Sequence, residues 1–238
     1  MFSAALMKQT IRENSVLWLV LAGVQCLMVA TIGFTAPVAA AGIAYYNMLP
    51  GIFVGIYAIT IGNRLISAKV DRGTLAYVLS TPVSRRAVVA TQALFFAGSL
   101  ALMCALAGTV HAVAALLSDH GADAGEVQTI VKLNIGLLAL ALAFSGICFA
   151  ASSVFNLSKH TIAVGGGLIA AFVLAPIIAM FGENFAFLRN LTIVTLYDVP
   201  SIMASAPGWG WPLAGLAGIA VAAYIAGALV FTRKDLPL

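Results

Sequence analysis

The chain has 238 residues, of which 62% are hydrophobic and 8% charged, with a formal net charge of +4. Its mean hydropathy of +1.06 excludes a water-soluble globule, because so few charges cannot cover a domain of this size. The basic residues flank apolar runs instead of lining one face, which reads as a membrane-topology signal and argues against nucleic acid as a partner.

Residues 1–14 are too short to span a bilayer. Phe2, Leu6 and Met7 lie close on a helical wheel, with Lys8, Arg12 and Glu13 able to reach headgroups, so a short interfacial helix is expected, with a frayed extension of the first span as the competing reading. No Asp, Glu, Lys or Arg occurs from Val16 to Asn63, nor in 87–118, 133–158, 161–182 or 199–232. A spanning helix needs about 20 apolar residues. A charge at the bilayer centre costs roughly 2.5–3.5 kcal/mol on insertion scales. The fold class is therefore all-α: a polytopic membrane protein with six transmembrane helices over 16–36, 47–67, 87–117, 129–155, 161–181 and 209–231, forming one domain over 1–238. The first apolar run exceeds the roughly 7–15 residues of a secretory h-region, so it is expected to be retained.

Placing the N-terminus in the cytoplasm puts ten of the twelve basic residues inside and leaves Lys132 and Arg189 outside. Both termini are then cytoplasmic. Five basic residues fall between Arg64 and Arg86, marking a cytoplasmic loop. The outer stretch 182–208 is too apolar for a solvated loop and is interrupted at Pro200 and Pro207. Two short helical pieces are expected there, re-entrant or lying on the outer leaflet and ending at Trp209 and Trp211.

Chemistry is sparse. None of the five lysines follows a glycine, so no P-loop cradles ATP. No fixed charge sits at mid-membrane to relay ions. His111, near the outer end of the third span, is expected to pack and hydrogen-bond. Cys26, Cys104 and Cys148 lie inside apolar segments without metal or disulfide spacing. No catalytic constellation and no metal site is expected, so any motor belongs to another chain.

Two arcs of polar residues share helical spacing: Tyr46, Tyr57, Thr60 and Arg64 on the second span, and Asn134, Ser145, Ser152 and Asn156 on the fourth. Tyr46, Tyr57, Thr60, Asn134, Ser145 and Ser152 are candidates to line a substrate path. Interhelical hydrogen bonding is the competing reading. On the sixth span Gly210, Ala214, Gly218, Ala222 and Ala226 recur every four residues, a ladder that lets a neighbouring backbone approach closely.

The loop from Ser67 to Arg86 carries the most specific pattern. Gly73-Thr74 opens a short helix over 70–81 whose Leu75, Val78 and Leu79 form an apolar face beside Tyr77, Pro82 stops it, and Ser84 can cap the third span. This run, from Asp71-Arg72-Gly73-Thr74-Leu75 to Pro82-Val83-Ser84-Arg85-Arg86, resembles the first cytoplasmic loop of type-2 ABC exporter permeases. The order of elements and the ending Phe231-Thr-Arg-Lys234-Asp235-Leu236 extend the resemblance along the chain. Lys69 stands where that family often has an acidic residue, and Gln92 where it often has a basic one.

The resemblance implies a permease half that pairs with an identical or homologous second half in the plasma membrane. It also implies a coupling helix, involving Asp71, Arg72, Gly73, Thr74, Leu75, Tyr77, Val78, Leu79, Arg85 and Arg86, seated in a groove of an ATP-binding cassette subunit. ATP and magnesium would bind that partner, and an amphipathic substrate would move by alternating access. The competing class is an ATP-independent channel, carrier or scaffold.

Overall fold

A computed structural model of the protein describes residues 3–75 and 83–234. Among them the chain is helical without strands, and six helices are long and apolar enough to cross a membrane. These are α1 (Ala4–Thr35), a second span over Val38–Asp71 whose central helix is α2 (Leu49–Leu65), α3 (Arg85–Leu117), α4 (Ala124–Val154), α5 (Ser158–Phe181) and α6 (Gly210–Arg233).

The expected interfacial helix is not a separate element, since α1 is continuous from Ala4. No Pro or Gly interrupts its first five turns, and Asn14 Nδ2 donates back to the Thr10 carbonyl at 2.9 Å. Its direction nevertheless changes. Ser3 N donates to Thr91 Oγ1 and Thr10 bonds Gln92, so seven residues of α1 cross adjacent positions of α3. Farther along, Trp18 meets Ser99, and Gly33 lies against His111 and Ala114, so the two helices run side by side.

Boundaries moved where caps override hydropathy. Asp123 Oδ1 accepts from Glu126 N at 2.7 Å and Glu126 Oε2 accepts from Asp123 N at 3.2 Å. This reciprocal capping box starts α4 five residues before the expected position. Ser84 Oγ accepts from Ala87 N at 3.2 Å and caps α3. Ahead of α2, Val38–Ala41 is already helical and a π turn over Gly42–Tyr46 turns both tyrosines inward, edge to face with centroids 5.0 Å apart.

The core is organised around α4. In its most apolar window 67% of residues are buried, against 17% in α5, because α2, α3 and α6 all pack on α4. Close approach to α6 depends on missing side chains. A Cβ at Gly146 would stand 3.0 Å from the Ala220 carbonyl oxygen, and one at Gly227 3.0 Å from Ala150 Cα. The expected small-residue ladder of α6 is on the wrong side: Gly210, Ala214, Gly218, Ala222 and Ala226 are exposed, while Leu213, Leu216, Ala220 and Gly227 face inward. Small residues recur on every face of that helix, so a four-residue recurrence does not choose the docked face.

The outer stretch folds as two 3-10 pieces, Glu183–Leu191 and Ile193–Leu196, and one short helix, Val199–Met203. Its second half is anchored on α4: Tyr197 Oη donates to the Leu133 carbonyl at 3.0 Å, and Val199 and Ile202 are buried. Its first half buries no residue.

Candidate functional site

The C-terminal end of α2 leads straight into the basic loop. Ser67–Asp71 forms one short helix, and Gly73 ends it at φ +69, a left-handed conformation that glycine adopts without a Cβ clash. Thr74 and Leu75 then begin a new helical turn, as the sequence places it. Tyr77, Val78 and Leu79, the rest of the expected coupling face, lie outside the described residues.

Leu75 does not offer itself to a partner. At 2% exposure it is part of the protein's own core, so it ties the segment to the bundle. Asp71, Arg72, Gly73 and Thr74 are exposed beside it.

This segment is bonded to the turn between α4 and α5. Asp71 Oδ2 accepts from Ser158 N at 3.2 Å. Asn63 Nδ2 donates to Ser158 Oγ at 2.7 Å, and Ser67 Oγ donates to Asn63 Oδ1 at 2.9 Å. Deeper, Ser67 N donates to Ser152 Oγ at 3.0 Å. The turn they hold leads into α5 through a π stretch, Ile162–Gly166, at the start of three consecutive glycines, Gly165 to Gly167. Wide turns and glycines are where a helix changes length or direction at least cost. Asp71 and Asn63 thus bond directly to Ser158 at the root of α5, while Ser67 ties the segment to Ser152 on α4.

The two departures from the resembled pattern find partners on α1. Lys69 Nζ lies 3.1 Å from Glu13 Oε2, and Gln92 Nε2 donates to Thr10 Oγ1 at 3.2 Å. At the start of α3, Arg85 donates from Nη1 to the Lys234 carbonyl at 2.8 Å, while Arg86 is exposed. Lys234 Nζ in turn reaches the Ser153 and Val154 carbonyls at the end of α4, where a cation complements the helix dipole.

The candidate path residues are distributed across the bundle, mostly bonded between helices. Tyr57 Oη donates to Ser99 Oγ, and Tyr224 Oη to Ser145 Oγ, both at 2.8 Å. Ser152 holds Ser67, as above, and Thr60 is half-buried on α2. Asn134 Nδ2 donates to Tyr46 Oη at 2.8 Å, and Tyr46 Oη and His111 Nδ1 share a hydrogen bond at 2.9 Å. His111 is buried in this chain of bonds, the packing role expected of it. Of the six candidates, Tyr46 also lines an outer cavity of about 320 Å³ bounded by Met48, Val173, Pro176, Arg189 and Tyr197.

Asn63, Ser67 and Ser158 were not singled out from sequence. Their signal was faint: an Asn and a Ser four apart where a span ends, and a Ser where another begins.

A family model described as ABC-2 family transporter protein matches residues 6–236 of the chain. No curated protein is significantly similar to it in sequence.

Proposed function

The chain belongs to the ABC-2 family of transporter proteins, and on that premise we propose that it is the passive, membrane-spanning permease subunit of an ABC exporter. Two such halves, identical or homologous, would enclose a path. Each would receive an ATP-hydrolysing subunit on the cytoplasmic side, and ATP and magnesium would bind there. The distribution of basic residues supports cytoplasmic termini in a plasma membrane.

The observation that carries the reading is the bonding of the Gly73 segment to the α4–α5 turn through Asp71, Ser67, Asn63 and Ser158. A lever with that attachment converts movement of a cytoplasmic partner into movement of α5. The outer cavity beside Tyr46 would be the exit end of the path, and alternating access would open it when the levers of both halves move together. The bundle presents apolar and weakly polar groups without fixed charge at mid-depth, which suits an amphipathic substrate.

Purification from native membranes tests this. An ATPase should co-purify with the chain, and Val78→Asp, on the coupling face expected from the sequence, should abolish its association while the bundle still folds. Association that survives Val78→Asp would contradict the coupling role. A folded chain that brings no ATPase with it at all would favour the ATP-independent class.

A further inference from the structure

Next to the lever lies a cavity of about 480 Å³ between the first turns of α1 and the end of α2. Arg64, Lys69 and Arg72 line it, opposed by one carboxylate, Glu13. Lys69 Nζ is shut off from solvent against Glu13. Among the described residues neither Arg64 nor Arg72 has a carboxylate within ion-pair distance. The cavity therefore holds more positive charge than its own walls neutralise.

Around α1 from it runs an apolar groove of about 470 Å³ between α1 and α3, walled by Met7, Ile11, Trp18, Phe95 and Gly98. Asn14 lines both spaces. It is 3% exposed. Its Nδ2 is committed to the Thr10 carbonyl, and among the described residues no donor reaches its Oδ1. A buried acceptor without a donor is costly unless something supplies one.

The depth is that of the headgroups. The charge-free run of α1 begins at Val16 and that of α2 ends at Asn63, so the cationic cavity sits where spans emerge, and the groove runs from that level, at Met7 and Ile11, to Trp18, about one turn past Asn14. We propose that the two spaces form one site for an anionic, hydroxyl-bearing glycerophospholipid of the inner leaflet. Its phosphate lies between Arg64 and Arg72, beside the Lys69–Glu13 pair, a headgroup hydroxyl donates to Asn14 Oδ1, and an acyl chain fills the groove. Bidentate guanidinium contact to phosphate suits the two arginines. The lipid would brace the lever against the first turns of α1. The site stands on its own cavities and does not require the transport reading.

Native mass spectrometry of the purified full chain tests the proposal without any ATPase. Dioleoyl phosphatidylglycerol should be retained at least about tenfold better than dioleoyl phosphatidylcholine, given two unneutralised arginines. Arg64→Gln with Arg72→Gln should remove that preference. Lys159→Gln with Arg233→Gln, which takes the same charge from exposed positions, should keep it. A Cβ at Gly98 meets nothing within 4 Å, so Gly98→Phe can fill the groove without disturbing the fold. It should weaken phosphatidylglycerol retention and leave binding of inorganic phosphate unchanged. Equal retention of the two lipids would overturn the proposal, as would an equal loss in the Lys159/Arg233 variant. Unchanged phosphatidylglycerol retention in Gly98→Phe would reduce the site to one for a free anion. If the Arg64/Arg72 variant lost its ATPase and kept its lipid, the arginines would belong to a protein contact and the lipid site would be refuted.

Discussion

Pro176 has no N–H to close a helical bond onto the carbonyl four residues earlier, at Phe172. Thr192 supplies the missing donor: its hydroxyl reaches the Phe172 oxygen at 2.7 Å from the outer stretch. The substitute bond is buried, with Thr192 at 6% exposure, and nothing in hydrocarbon replaces it. Thr192→Val should therefore destabilise the chain by about 1–3 kcal/mol, the cost of a buried acceptor left unmade, whereas Thr192→Ser should be close to neutral. Thermal unfolding of the two variants in detergent checks this. Equal midpoints would mean that the carbonyl finds another donor. The proline was legible in the sequence and its partner was not, because the two residues meet only after the chain reverses at Gly182.

At the scale of elements, the hydropathy runs located all six spans, since burial in lipid demands long charge-free stretches whatever the packing. Which face each helix turns inward was much less legible. On α6 the recurrent small residues pointed one way and the docked face lies on the other. Its close contact is made by Gly227 under Phe149 and Ala150. Gly227→Leu should accordingly lower the unfolding midpoint of the purified chain, with an overpacking cost of about 1–3 kcal/mol. Gly218→Leu, where a Cβ meets nothing within 4 Å, should leave it unchanged, and the reverse order would place α4 on the ladder. The lever was legible in part. Gly73-Thr74 was read as a helix start without its left-handed conformation, and the inward direction of Leu75 was hidden, because an apolar residue at a helix start serves a core and a partner equally well. The polar stripes were read at the right positions. Their use emerged only with partners from other helices, such as Ser99 for Tyr57 and Tyr224 for Ser145.

For the whole molecule, the account comes down to transmission. A well-buried helix, α4, holds the bundle, while α5 is lightly packed and enters through a π turn and three glycines. On the proposed function, force applied near Arg72 would arrive at its root through Asp71 and Ser158, which are hydrogen-bonded. The most direct measurement is a spin-label distance in the purified complex of two halves and two ATPases, with Cys26, Cys104 and Cys148 replaced by Ala and labels at Thr74→Cys and Phe187→Cys. ATP should shift the distance distribution, and Asp71→Asn, which weakens the bond to Ser158 N, should reduce that shift while ATP hydrolysis continues. A distribution indifferent to ATP, or an undiminished shift in Asp71→Asn, would contradict the proposed route from lever to α5.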